Sequence, residues 1–269
     1  MTPLSNDLQA FVIDMDGVLW EGSRPLPGLG EFFAALRARS IRFILATNNA
    51  SQTPEQYLAK LAGFGVTVAR DEILTSAQAA AVYLRARAPA GTRVFAIGED
   101  GVRQALTEQG FVLTELFEVG AEYVVVGMDR SLSWDKLATA TLNIRAGATF
   151  VGTNPDRTIP TERGIVHGNG AVLAALQAAT DVAPLIIGKP EPTMYEIALE
   201  RLGVPPTAAI AIGDRLDTDI LGAVRAHMQS VLVLTGVTQR EDLEDADVQP
   251  TWILADIQAL TRLLEVNSR

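Results

Sequence analysis

Cysteine is absent from the 269 residues, which excludes disulfide staples and thiolate metal sites. Histidine is nearly absent too: only His167 and His227 occur, too few for an imidazole-rich zinc site. Long apolar runs are missing. Ile41–Ala46 and Ser230–Leu234 fall far short of the roughly 18–20 residues that span a bilayer, so no membrane partner is expected. Met1–Asp7 show no charged segment leading into an apolar one, so no signal peptide is expected and a cytoplasmic location follows by default. Basic charge is also scarce. With 22 Lys and Arg against 32 Asp and Glu the formal net charge is −10, and no Lys/Arg cluster appears, which argues against a nucleic-acid partner. The same acidity means that an anionic ligand needs a cation supplied locally.

What is present is apolar content, 48% of the chain, and rhythm. Short apolar runs alternate with helical patterns, the mark of an α/β fold with a parallel sheet. The spacing predicts strands at Ala10–Ile13, Ile41–Ala46, Leu185–Ile187, Ala209–Ile212 and Val231–Leu234, with a last one at Trp252–Ile253. Thr53-Pro54-Glu55-Gln56 marks a helix start, and Tyr57, Leu58, Leu61 and Phe64 then recur at helical spacing as a core stripe. Ala88-Pro89-Ala90-Gly91 and Asp181-Val182-Ala183-Pro184 read as hinges. They divide the chain into a discontinuous core, residues 1–86 plus 184–269, and an inserted domain, 87–183. Within the insert, Thr153 to Gly170 reads as a polar loop too long for an ordinary connection, which suggests function.

Four polar clusters each follow a predicted core strand. They are Asp14-Met15-Asp16-Gly17, Thr47-Asn48-Asn49, Gly188-Lys189-Pro190 and Gly213-Asp214-Arg215-Leu216-Asp217-Thr218-Asp219. Open parallel sheets bind ligands outside the carboxyl ends of their strands, so one crevice is expected to collect these groups. Two carboxylates about 4 Å apart repel by roughly 4 kcal/mol at an effective dielectric near 20. Several acids in one crevice therefore call for a cation. With oxygen donors only, that cation is a hard ion, and magnesium fits best. Lys189 and Thr47, with the backbone N–H groups of Asn48 and Asn49, suit the outer oxygens of a phosphate. Of Asp14 and Asp16, one can attack phosphorus while the other protonates the leaving oxygen and later deprotonates water.

Taken alone, each cluster has a bland reading: a surface turn, a helix-entry loop, an exposed lysine, or acids at a helix N-terminus. Together and in this order they resemble the haloacid-dehalogenase superfamily. The fuller text is similar to its NagD-like, p-nitrophenylphosphatase-type branch: Asp14-Met15-Asp16-Gly17-Val18-Leu19-Trp20 with Gly22 and Pro27-Gly28, then Thr47-Asn48-Asn49-Ala50-Ser51, and in the insert Gly152-Thr153-Asn154-Pro155-Asp156 and Gly168-Asn169-Gly170-Ala171. Where many relatives carry Pro-Gly-x-Gly, this chain has His167-Gly168-Asn169-Gly170.

The resemblance implies a Rossmann-like core with a large inserted α/β cap, and hydrolysis of a small phosphorylated metabolite. It implies Asp14 as nucleophile, forming an aspartyl-phosphate, and Asp16 as general acid/base. It further implies magnesium held by Asp14, the backbone carbonyl of Asp16 and Asp214, with Asp219 supporting the metal shell. Thr47 and Lys189 would bind phosphate. Caps of this type mediate pairing in relatives, so a homo-oligomer through the cap is one expectation. A phosphotransferase using the same nucleophile and a non-catalytic phosphate- or nucleotide-sensing module are the rival readings. The loop from Asn154 to Arg163 is expected to cover the crevice, and His167 reads as a solvated loop residue. Trp20, Trp134 and Trp252 read as packing residues.

Overall fold

The computed structural model describes residues 7–161 and 163–266. Residues 1–6, on which most of the signal-peptide expectation rests, and Glu162 in the 154–163 loop lie outside them.

In chain order come β1 (Ala10–Ile13), β2 (Trp20–Glu21), β3 (Arg24–Pro25), α1 (Leu29–Ala38), β4 (Arg42–Thr47), α2 (Pro54–Gly63), β5 (Ile73–Thr75) and α3 (Ser76–Arg85). There follow β6 (Arg93–Ile97), α4 (Asp100–Glu108), β7 (Val112–Leu113), β8 (Tyr123–Val126), α5 (Trp134–Arg145), β9 (Thr149–Gly152), β10 (Thr158–Thr161), β11 (Gly164–His167), α6 (Asn169–Thr180) and β12 (Leu185–Ile186). The chain continues through α7 (Thr193–Leu202), β13 (Ala209–Gly213), α8 (Leu221–Arg225), β14 (Gln229–Val233), β15 (Trp252–Leu254) and α9 (Ile257–Val266). Among the described residues, no helix is long and apolar enough to cross a membrane.

Two compact units result: residues 1–47, 55–74 and 190–269, and residues 48–54 and 75–189. The first is built on a six-stranded sheet ordered β15-β14-β13-β1-β4-β5. Along β15, β14, β13, β1 and β4 every neighbouring pair is parallel. β1 is buried at every position, as expected of a strand covered on both faces, which reads as an unbroken apolar run. Register carries the period-two alternation across the sheet. Phe11 stands beside Phe43 and Ile210, and Ile13 beside Leu45 and Ile212. These residues share one core cluster with Phe32, Phe33 and Leu36 of α1 and with Ile257, Leu260 and Leu264 of α9. Full burial of each such side chain contributes about 1.5–3 kcal/mol.

The second unit has a five-stranded sheet ordered β12-β9-β8-β6-β7, parallel throughout, and an antiparallel hairpin, β10-β11. Phe95, Ile97, Val124, Val126 and Phe150 pack there against Ala140, Ile144, Leu173 and Leu176.

Four expectations need correction. The Leu185–Ile187 strand does not join the first sheet: Leu185 and Ile186 pair with Val151 and Gly152 at the edge of the second. Helix α3, expected in the core, clusters with the second unit and begins at Ser76, where Thr75 caps it reciprocally with Gln78. An apolar run in an edge strand and an alanine-rich helix reveal their neighbours poorly from sequence. The 153–170 stretch is not one loop, because Thr158–Thr161 and Gly164–His167 pair as a hairpin, with Gly164 at the start of β11 at φ +114°. Trp134 is not a packing residue. It opens α5 one residue after the Ser133 cap, with 76% of its surface exposed.

A charged knot closes the loop before α5. Asp129 accepts the N–H and Oγ of Ser131 at 2.8 and 2.6 Å and Lys136 Nζ at 2.6 Å. Burial works against its charge, but these donors prevail and hold its carboxyl below the usual value. A depressed folded value means that the stabilisation is present at neutral pH, above the unfolded value. It is lost as pH falls through the folded one. Asp129→Asn is expected to cost about 2 kcal/mol at neutral pH. The gap from wild type should close in acid, as urea melts over a pH series would show.

Candidate active site

Three strand ends of the first sheet stand side by side, because β13, β1 and β4 are neighbours. The Asp14 N–H donates to the Ile212 carbonyl at 2.8 Å, which ties the end of β1 to β13. Beyond these ends, Asp14, Asp214 and Asp219 each offer a carboxylate oxygen within 4.8 Å of the others. Asp214 and Asp219 are buried and Asp14 is partly exposed. Each pair at that spacing repels by about 3–4 kcal/mol at an effective dielectric near 20. An all-carboxylate oxygen set of this kind fits a hard divalent cation. Asp219 reaches the group because a single π-helical turn, Leu216–Ile220, directs it back, and its Oδ2 accepts the Arg215 N–H at 3.1 Å. Its carboxylate therefore stands among the other two rather than behind them.

Small residues make the room. A Cβ on Gly17 would lie 2.5 Å from Asp214 Oδ2, and Gly17 also has φ +81°. A Cβ on Gly236 would overlap the same oxygen, and one on Gly213 would overlap the Asp219 side chain. The loop after β14 closes the far side. The Val237 N–H donates to Asp214 Oδ2 at 2.7 Å, the Thr238 N–H to the Asp214 carbonyl at 3.1 Å, and Thr235 Oγ1 to the Gly17 carbonyl at 2.6 Å.

Asp16 stands apart from the three acids and is exposed. A turn through Gly17, closed by the Gly17 N–H on the Trp20 carbonyl at 2.8 Å, brings it beside Trp20. Trp20 Nε1 donates to Asp16 Oδ1 at 2.7 Å. Lys60 Nζ sits over the indole, 4.1 Å from the ring centroid. Burial lowers the Lys60 ammonium's pKa, while the charge of Asp16 opposes the shift. Burial pushes the Tyr57 phenol well up, and the charge of Asp16 adds to it, so Tyr57 stays protonated. Thr47, at the end of β4, is buried.

Lys189, Asn48 and Asn49 belong to the second unit. There Asn48 clamps the lysine's backbone: its Nδ2 donates to the Lys189 carbonyl, and its Oδ1 accepts the Lys189 N–H, both at 2.8 Å. The same Nδ2 reaches Asp156 Oδ1 at 3.2 Å, and the Asn48 carbonyl accepts Ser76 Oγ and Asn154 Nδ2. Asn49 Oδ1 caps its own turn by accepting Ser51 N–H and Oγ. Both asparagine side chains are thus committed to the protein, and a phosphate contact there falls to the backbone. Lys189 is only 3% exposed, and an ammonium so buried requires an anion or strong acceptors. His167 lies exposed on β11, as expected of a solvated histidine.

Residues 11–112 match the family model described as haloacid dehalogenase-like hydrolase, and residues 186–260 match a second, HAD-hydrolase-like model. An acid sugar phosphatase of Staphylococcus saprophyticus is 38% identical over 257 residues, covering 96% of this chain and 98% of its own. This chain belongs to the haloacid-dehalogenase-like hydrolases. Among solved structures, the p-nitrophenyl phosphatase of Archaeoglobus fulgidus superposes with a TM-score of 0.90 at 31% identity, covering 95% of this chain and 99% of its own. A glycerol phosphate phosphatase of Mycobacterium tuberculosis, solved in complex with magnesium, gives 0.89 at 36% identity over 97% of this chain and 79% of its own. The chain falls in the NagD-like, nitrophenyl-phosphatase branch of the family and is a phosphoric monoester hydrolase.

In this haloacid-dehalogenase-like hydrolase, the strand-end reading overlooked the loop at Thr235-Gly236-Val237-Thr238. The signal was available, since this is a fifth polar cluster directly after a predicted strand. It carries no acid or base, so chemistry alone did not single it out.

Proposed function

We propose that this hydrolase releases inorganic phosphate from small phosphomonoesters through an aspartyl-phosphate on Asp14, with magnesium as its cation. The observation that carries the reading is the trio of carboxylates within 4.8 Å at the ends of adjacent parallel strands. The first unit serves as the catalytic core and the second, to which Lys189 belongs, as the cap. Asp14, Asp214 and the backbone carbonyl of Asp16 would hold the ion, with Asp219 as a further carboxylate support. When bound, magnesium supplies positive charge against the phosphate and the clustered acids.

The residues then divide the work. Asp14 attacks phosphorus, and the Asp14–phosphorus bond forms as the bond to the leaving oxygen breaks. Asp16 gives that oxygen its proton. In the second half Asp16 takes a proton from water, whose oxygen bonds to phosphorus, and Asp14 departs as carboxylate. Lys189, Thr47 and the backbone N–H groups of Asn48 and Asn49 hold the phosphate's outer oxygens.

A phosphate-release screen across sugar phosphates, glycerol phosphate and aryl phosphates, with magnesium and with chelator, tests the reading. Chelation should remove turnover by at least about a hundredfold, and added magnesium should restore it. Undiminished turnover in chelator would reject the metal assignment.

A further inference from the structure

Trp20 contributes an N–H that the proposed chemistry has not yet used. Its indole is fully buried, ring-stacked on Tyr57 at 6.4 Å and tilted against Phe64 at 6.0 Å. Its backbone is pinned as well, by the Gly17 N–H on its carbonyl and by the bridge between Asp16 and Trp20. A rigid aromatic platform therefore aims one polar atom at an exposed carboxylate, 2.7 Å away. A buried indole N–H requires an acceptor, so the simplest alternative is that Asp16 merely satisfies Trp20. Two features favour the reverse dependence. Asp16 sits on a turn whose side chain would otherwise sample several rotamers in solvent. In addition, Lys60 Nζ above the indole draws electron density from the ring, which strengthens the N–H as a donor.

We infer that Trp20 is a positioning residue for Asp16, holding Oδ1 by its Nε1–H so that Oδ2 is the oxygen that exchanges the proton with the leaving group and with water. This rests on the assignment of Asp16 as acid and base. In the first half Oδ2–H breaks and the proton goes to the ester oxygen as its bond to phosphorus breaks. In the second half a water proton returns to Oδ2.

The leaving group separates a positioning role from a structural one. A nitrophenolate departs without help from a proton, whereas an alkoxide does not. The quantity to measure is kcat/KM, which reports events up to leaving-group departure. Trp20→Phe keeps the packing and deletes the N–H. It should lower kcat/KM about tenfold on an alkyl phosphate such as a sugar phosphate, and less than about twofold on p-nitrophenyl phosphate. In an Asp16→Asn background, adding Trp20→Phe should change neither value further. Equal losses on both substrates, or an undiminished Trp20→Phe effect in the Asp16→Asn enzyme, would overturn the proposal and leave the acid–base reading standing. An Asp16→Asn enzyme with wild-type alkyl turnover would instead overturn that reading, and this inference with it.

If Trp20→Phe fails to fold, the wild-type indole supplies the test. In ¹⁵N-labelled protein, Asp16→Ala should move one indole N–H proton upfield as its acceptor is lost. Unmoved indole signals would refute the hydrogen bond itself.

Discussion

Asp14→Asn is expected to cut phosphate release on the order of 10⁵-fold while making the metal-free protein more stable. The amide keeps the shape of the carboxylate but is neutral and a far weaker nucleophile. The backbone bond from residue 14 to the Ile212 carbonyl is untouched, so the strand end stays in place. The stability gain follows from the cluster. Asp14 repels both Asp214 and Asp219 at separations within 4.8 Å, and removing its charge relieves two of those three pairs. The gain in chelator should reach about 1–3 kcal/mol once solvent screening of the partly exposed Asp14 is allowed for. Added magnesium should stabilise the variant less than it stabilises wild type. Phosphate-release assays and thermal melts, each with chelator and with magnesium, provide the readouts. Activity within a hundredfold of wild type, or an unchanged metal-free melting point, would contradict this account.

The second large effect is expected at Gly236, which touches no substrate in the proposed mechanism. A single methyl there overlaps Asp214 Oδ2, the oxygen that the Val237 N–H holds at 2.7 Å. Asp214 is 2% exposed, so it cannot simply swing out into solvent. The methyl must therefore rotate the carboxylate or push the loop outward, breaking the bond to Val237. Displacing the support of a metal-binding carboxylate commonly weakens metal affinity by 10–100-fold, so Gly236→Ala should raise the magnesium needed for half-activation by about that factor. Gly30→Ala is the control. It lies in helix α1 with no atom within 4 Å of the added Cβ, and it should leave activation unchanged while stabilising the fold by about 0.5–1 kcal/mol. Magnesium titrations of activity, with binding calorimetry on the same proteins, would reveal the difference. Equal half-activation in Gly236→Ala and wild type would show that the loop after β14 does not support the site.

Asp14, Asp214 and Asp219 could be read from sequence because each follows or closely trails a strand with no ambiguity of period. Ala10–Ile13 and Ala209–Gly213 are buried throughout, and a parallel sheet aligns their ends. Lys189 was harder to place. The strand before it has only two paired residues, half exposed, and nothing in Leu185-Ile186 says which sheet takes them. The hairpin of β10 and β11 was hidden because an isolated two-stranded ribbon, exposed along the whole of β11, has no alternating core face to mark it. The roles of Asn48 and Asn49 were legible as polar presence, not as geometry. Only the fold discloses that one asparagine clamps a lysine backbone and the other caps its own turn. Gly236 was invisible for a plainer reason. Its function is to be empty space beside a carboxylate, and chemistry-bearing residue types do not advertise space.

The Asn48 knot has an evolutionary corollary. One amide secures the Lys189 backbone and also grasps Asp156, in the stretch that leads into the β10-β11 hairpin. The anchor of the Lys189 backbone and the root of the loop that carries the β10-β11 hairpin are thereby a single heritable module. Lineages that retune this loop for new leaving groups would have to preserve residue 156 as an acceptor or redesign the lysine's moorings at the same time. Diversification should therefore concentrate at the hairpin's outer end, around Ile165, while its base stays fixed.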